Sequence, residues 1–322
     1  MGCPKILVGN SRAFRSDVRL ISELASFSPE RETLLTVGVF DGIHLGHQYL
    51  IKKLTQQAAA RNLLSGVVTF NTHPQNVLSP QTKLARLTTV EERTRLLRGL
   101  GVELVVPVNF STEVAALSAR EFVILLQMHL RMQGLVIGPD FALGRGREGD
   151  AAALQALGQE LGFTVEVVEP LISGGSLVSS TAIREALSRG DMRAISRFLG
   201  RYFRLSGPVV GGMERGHGLG FPTANIGVDS DQALPIDGVY ATLGYIGDKV
   251  YKSVTNIGLR PTFGDGGRTI EVFLIDFAED IYGEKLTVEL VERLREEMRF
   301  ADPEELSAQI GRDVERARSV LK

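Results

Sequence analysis

The sequence predicts two unlike domains: a doubly wound parallel α/β sheet, then a mostly antiparallel β domain ending in a helix. Three observations predict this. The chain has 322 residues, about twice the roughly 150 that one ordinary domain uses. From Leu34 to about Val168, short β-branched runs alternate with segments of helical period, the pattern of strands joined by crossover helices. After about Arg201 the apolar period falls to two, and a Gly-Asp pair separates consecutive strands, which marks hairpins.

In the first half the expected strands are LLTVGVF, GVVTF, ELVVPV, GLVIG and TVEVV. Thr89 with Glu92 and Ser118 with Glu121 form S/T-x-x-E capping boxes that open helices, and Gly101 closes the first. Another helix begins near His47, with Leu50, Ile51, Leu54 and Ala58 on one face. Open parallel sheets take ligands at the carboxyl ends of their strands, so the loops after Phe40, Phe70 and Gly138 are where chemistry is expected. A helical stretch from Thr181 to Leu199 joins the halves, with domains expected at residues 1–186 and 187–322. Beyond it, YATLGYI and KVYKSV flank Gly247 and Asp248, and TIEVFLIDF and KLTVELV continue the β pattern. After Pro303, Leu306, Ile310 and Val314 share the face of a last helix. No internal repeat explains the length.

Composition excludes several classes. With 43% hydrophobic and 23% charged residues the chain is globular. The balance of 36 Lys+Arg against 38 Asp+Glu leaves no basic footprint for nucleic acid. Cys3 is the single cysteine, so neither an internal disulfide nor a cysteine-based zinc site can form. The longest apolar stretch, around Phe122 to Leu126, is far below the roughly 20 residues of a membrane span. The start, MGCPKILVGN, lacks a secretory apolar region and has Ile6 where myristoylation needs Ser or Thr. The expectation is a cytoplasmic protein with small-molecule partners and no nucleic-acid or membrane partner; no oligomeric state is assigned.

The strongest motif is VGVFDGIHLGHQYLIKKL. Gly38 and Phe40 end a strand, Asp41 and Gly42 turn the chain, and a helix N-terminus follows. Free N–H groups and the helix dipole attract anions there, Gly46 permits close backbone approach, and His44 and His47 can donate to phosphates. Metal binding is the weaker option, since no acidic-His cluster completes a site. In LVSSTAIREAL, hydroxyls of Ser180 and Thr181 and the guanidinium of Arg184 open a helix and suit one anion, although plain N-capping also accounts for the serines. GPDFALGRGREGD places Asp140, Arg145 and Arg147 after a strand, and TFNTHP places His73 and Pro74. In the second half no G-x-x-x-x-G-K-[ST] occurs. Instead LSGPVVGGMERGHGLGFPTANI runs from Gly211 to Gly220 and then Pro222, Thr223 and Asn225, where a hydroxyl and an amide oxygen suit Mg²⁺ beside nucleotide phosphates. Glu271 shares its strand side with Phe273, Ile275 and Phe277, and an apolar face favours a raised pKa and a basic role.

The ordered set GVFDGIHLGH, TFNTHP, GPDFALGRGREGD, SSTAIR, GFPTANI, GVYA, NIGLRPTF and EVFLIDFAEDIYG resembles the prokaryotic bifunctional riboflavin kinase/FMN adenylyltransferases, or FAD synthetases, over nearly the whole chain. The resemblance implies a nucleotidylyltransferase fold followed by a six-stranded antiparallel riboflavin-kinase barrel. It implies that HxGH and SSTxIR hold ATP while the phosphate of FMN attacks the α-phosphorus. It further implies Mg-ATP on Thr223 and Asn225, Glu271 as base toward riboflavin, and Arg260 and Arg295 as flavin contacts. Substrates and products are then ATP, riboflavin, FMN and FAD, with Mg²⁺ as cofactor. The sequence departs from the family pattern at Asn71 and Thr72, at Phe273 where a His is usual, and at His217 and Gly218, which stand where an Arg is common. The alternatives are a flavin-binding storage or regulatory protein with an inactive site, and a cytidylyl- or pantetheine-phosphate adenylyltransferase, which leaves the second domain without a task.

Overall fold

The computed structural model describes residues 18–173, 176–211, 221–259 and 268–322. The chain divides into two compact units, Met1–Leu177 and Val178–Lys322.

In the first unit the elements follow as α1 (Val18–Ser26), β1 (Thr33–Gly38), α2 (Leu45–Ala60), β2 (Leu64–Phe70), α3 (Pro74–Leu78), α4 (Val90–Gly99), β3 (Leu104–Val108), α5 (Thr112–Ala116), α6 (Ala119–Leu130), β4 (Met132–Ile137), α7 (Ala151–Leu161) and β5 (Thr164–Val167), closed by the short pair β6 (Ile172–Ser173) and β7 (Ser176–Leu177). The five expected strands form one sheet in the order β3-β2-β1-β4-β5, parallel throughout. Its strands read as continuous apolar runs because both faces are covered. Leu35, Val68, Val106 and Leu135 enter one core, while their neighbours Leu34, Val67, Val105 and Val136 enter the other with Ile51, Leu54 and Ala58 of α2. Thr89 caps α4 and Ser118 caps α6, the latter with the full reciprocal box to Glu121. The strand order reverses between β1 and β4, which makes their carboxyl ends the switch point where such sheets bind ligands.

The second unit begins with α8 (Ser180–Arg189) and α9 (Met192–Leu199). The expected single helical join is broken at Gly190, whose φ of +69° ends α8; a Cβ there would meet the Arg293 Cδ at 2.7 Å. Six strands follow: β8 (Phe203–Val210), β9 (Ala224–Ile226), β10 (Gly238–Ile246), β11 (Lys249–Leu259), β12 (Arg268–Leu274) and β13 (Lys285–Arg295). They close as β10-β11-β12-β9-β8-β13, an antiparallel barrel. The Gly247-Asp248 turn joins β10 to β11 as expected. Alternate residues point inward, and the buried hydroxyls among them pair: Thr242 bonds Ser253 and Thr255, each at 2.7 Å. The last helix, α10 (Pro303–Val320), lays Val314, Ala317 and Leu321 against the outward residues Val239, Ala241 and Leu294. Arg295 of β13 fastens it through Nε and Nη2 to the buried Asp313 carboxylate at 2.8–3.1 Å.

Helix α8 thus packs on α9 within the second unit, and the N–H of Ile236 donates to the Leu187 carbonyl at 3.0 Å. A fragment of residues 178–322 is expected to melt in one cooperative transition. A fragment starting at residue 187 loses the Ser179 cap and most of α8, and its midpoint should fall by roughly 5 °C. Circular-dichroism melting of both fragments checks this; equal midpoints would show that α8 adds nothing to the barrel unit.

Candidate functional site

The first site is built on the turn between β1 and α2. Phe40 and Ile43 both take left-handed backbone, with φ of 51° and 40°, around Gly42 at 83°. Each such non-glycine position costs about 1–3 kcal/mol, so the turn persists only if its surroundings hold it. Asp41, 3% exposed, does so by accepting from the N–H groups of Leu87 and Thr88 at 2.9–3.0 Å and from the Thr88 hydroxyl at 3.2 Å. The Thr88 Oγ1 in turn accepts the Gly42 N–H at 3.1 Å. Hydrogen bonds to a charged group contribute about 1.5–3 kcal/mol each, enough to offset the strain.

The helix starts two residues earlier than its periodicity suggests, because His44 is itself the N-cap: its Nδ1 accepts the N–H of His47 at 3.3 Å. The two imidazoles stack with centroids 3.7 Å apart, and Phe40 lies 5.1 Å from His47. Burial first, then the neighbouring His44 and Arg93, hold His47 well below the ordinary imidazole value. It is therefore neutral at pH 7, and its buried Nδ1 has no hydrogen-bond partner. Gly46 is the second residue of α2, beside the N-terminal N–H groups that attract anions.

Other expected residues of the first site occupy varied settings. His73 caps α3, accepting the Gln75 N–H at 3.1 Å, and Pro74 is the first residue of that helix. Asn71, where the family pattern has an acid, donates to Asn109, which is held in turn by Glu23. Arg145 and Arg147 are exposed in a single 3-10 turn, and Arg147 Nη2 donates to the Asp140 carbonyl at 2.8 Å. Ser180, Thr181 and Arg184 lie in the first turns of α8, whose cap is Ser179. They belong to the second compact unit, whereas His44 and His47 belong to the first.

In the barrel, Asn225 on β9 lies directly opposite Glu271 on β12, and Glu271 lies opposite Asn256 on β11. Directly opposed residues share a face, so the carboxylate is flanked by an amide on either side. Asn256 was not singled out in the sequence, since only the register of β11 on β12 reveals it. Phe273 shares this face and packs edge-on against Phe221 at 5.3 Å. Thr223 lines a cavity of about 480 Å³ together with Gly211, Pro222, Val272, Phe277 and Tyr282. Tyr282 had no role in the sequence analysis, and Phe277, expected on the Glu271 side of the strand, lies beyond the end of β12 at Leu274 and lines this cavity with Val272 instead. The guanidinium of Arg295 is taken up by Asp313. Gly220 and Arg260 lie outside the described residues. Among the described residues no cluster of three His, Cys, Asp or Glu could hold a metal ion, and no helix is long and apolar enough to cross a membrane.

A doubly wound sheet with an anion-attracting helix start at its switch point, followed by a closed barrel with a carboxylate between two amides, defines a two-unit nucleotide-handling architecture. Residues 27–182 match the FAD synthetase family model and residues 199–321 the riboflavin kinase model. The bifunctional riboflavin kinase/FMN adenylyltransferase of Escherichia coli (strain K12) is 42% identical over 291 residues, covering 89% of this chain and 92% of that protein. The protein of the same name from Pseudomonas fluorescens is 39% identical over 306 residues, covering 94% and 98%. The chain belongs to the bifunctional riboflavin kinase/FMN adenylyltransferase family. A crystal structure described as a macrolide-efflux protein from Streptococcus pneumoniae shares the fold, with a TM-score of 0.84 and 30% identity over 92% of this chain and 96% of that one.

The depressed His47 pKa has a consequence for stability. The folded state refuses a proton that the unfolded chain accepts below about pH 6.5, so stability present above that pH is lost as pH falls through it. The thermal midpoint of the first unit should therefore drop between pH 7 and pH 5, and His47→Gln should flatten that slope. Identical slopes in wild type and variant would show that the imidazole is not held neutral.

Proposed function

We propose that this protein makes FAD in two ATP-dependent steps: its C-terminal domain phosphorylates riboflavin to FMN, and its N-terminal domain adenylylates FMN with release of pyrophosphate. Both activities follow from membership of a family whose relatives carry both names along most of this chain. The domains are taken as residues 1–186 and 187–322, and the enzyme as a cytoplasmic one acting on small molecules, without a nucleic-acid or membrane partner.

The observation that carries the adenylyl-transfer reading is the stacked His44–His47 pair at a helix start on the switch point. A phosphate oxygen of FMN attacks the α-phosphorus of ATP, the bond to the β-phosphate oxygen breaks, and pyrophosphate departs. The attacking phosphate is already anionic and needs no base. Catalysis then consists of alignment and of donors placed where charge develops. In this reading His44, His47, the α2 N–H groups beside Gly46, and the Gly38–Gly42 turn receive the ATP phosphates. Ser180, Thr181 and Arg184 receive the pyrophosphate end, while His73, Pro74, Asp140, Arg145 and Arg147 border the flavin phosphate.

Phosphorylation of riboflavin makes the opposite demand, because the ribityl hydroxyl must lose a proton as it attacks the γ-phosphorus and ADP leaves. Glu271 supplies the base, standing between the Asn225 and Asn256 amides on its face of the barrel. Gly211, Gly220 and Pro222 border the nucleotide, and the cavity beside Thr223 has room for part of it. Arg260 is assigned to the flavin, whereas the guanidinium of Arg295, expected there as well, is spent on Asp313. The oxygens of Thr223 and Asn225, with Glu271 directly across from Asn225, are hard donors of the kind Mg²⁺ accepts. When bound, the ion would neutralise phosphate charge.

Three substitutions test this reading. His47→Ala is expected to lower FAD formation from supplied FMN by about 10²–10³, and His44→Ala by less, while both leave riboflavin phosphorylation intact. Glu271→Gln should lower FMN formation by about 10²–10⁴ and spare FAD formation. Assaying the two reactions on each preparation decides: full FAD formation by His47→Ala removes the histidines from the site, and full FMN formation by Glu271→Gln removes the base.

A further inference from the structure

The turn that carries the histidines rests on a charged side chain to which the sequence analysis attached no role. Arg93 stands on α4 and is only 2% exposed. Its Nη1 donates to the Phe70 carbonyl at 2.7 Å and to the Thr69 hydroxyl at 3.1 Å, and its Nη2 points to the Thr88 carbonyl at 3.5 Å. Each acceptor leads to a part of the site. The Thr69 Oγ1 donates to the Val39 carbonyl at 3.0 Å, just before the strained turn. Phe70 is the last residue of β2, before the loop that carries His73. Thr88 binds both the Asp41 carboxylate and the Gly42 N–H.

All three acceptors of this guanidinium are neutral oxygens. Burial lowers its pKa somewhat, Asp41 opposes the shift through space, and Arg86 reinforces it. An arginine remains charged at neutral pH regardless. A buried cation that spends its planar fork on two strand ends and one loop is suited to fixing geometry, and a lysine offers a point charge without that fork.

We propose that Arg93 is a positioning residue for adenylyl transfer, holding the Phe40–His44 turn in the conformation that aligns His44 and His47 with the reacting phosphates. The inference rests on the reading that the two histidines serve that reaction. Arg93 does not reach the substrate; it acts through Thr69, Thr88 and the turn.

Steady-state kinetics of FAD formation by the full chain tests this. Arg93→Met is expected to lower kcat about 10²-fold, the cost typical of a displacement of about 1 Å, with KM for ATP and for FMN changed by less than about threefold. Arg93→Lys should recover about tenfold of that loss, because it restores the charge and one donor. FMN formation from riboflavin by the same preparations should stay normal. A normal kcat in Arg93→Met, or a loss carried by KM alone, overturns the proposal. Should Arg93→Met fail to fold, Thr69→Val decides in its place: it deletes the hydroxyl that accepts from Arg93 and passes its hold to the Val39 carbonyl, and it should show the same loss in kcat at constant KM, while normal kinetics overturn the proposal. His47→Ala measured alongside separates the two levels. If it is inactive while Arg93→Met is normal, only the Arg93 inference falls; if it too forms FAD normally, the reading of the histidines falls.

Discussion

A buried carboxylate held by main-chain N–H groups sets the ligand edge of the first unit. Asp41 is the residue around which the strand end folds back into a helix start, and the backbone on both sides of it is left-handed at non-glycine positions. Such a conformation would relax if the carboxylate lost its donors on residues 87 and 88. The local strain has a geometric return. It ends β1 abruptly and brings His44 to the cap position, so that its Nδ1 is spent on the helix and its stacked partner His47 is kept neutral by burial. The chemistry available to the pair follows from this turn more than from the histidines alone.

Closure plays the corresponding part in the second unit. A barrel has no free edge, and β9, only three residues long, supplies the contacts that complete it between β8 and β12. The same three residues put Asn225 across from Glu271. Inward positions are filled by aliphatic side chains and paired hydroxyls, while the outward face splits between the apolar seat of α10 and the row Asn225, Glu271 and Asn256. The carboxylate therefore sits where amide groups and phenyl rings meet.

Much of this was legible in the chain itself. The five parallel strands, the capping residues Thr89 and Ser118, the Gly247-Asp248 hairpin and the last helix are encoded by neighbours within a few residues, and each formed where the local pattern indicated. The ordered motifs were equally legible, and the family they resemble is the one whose models match both halves of the chain. Local pattern was less informative about where elements stop. The helix expected from Thr181 to Leu199 is two helices, since Gly190 lies against Arg293, a residue more than a hundred positions away.

By itself the sequence determined the alternation of elements, the two-domain plan, and which residue types stand at the strand ends. Only the tertiary structure decided that α8 packs with the barrel unit, that Arg295 is committed to Asp313, that Asn256 stands beside Glu271, and that Arg93 is buried beneath the histidine turn. The reason is physical. Helix and strand periods, caps and turns arise from interactions among nearby residues. A strand register, a salt bridge or a buried guanidinium is selected by what distant segments bring to it, and its free energy exists only once those segments have packed.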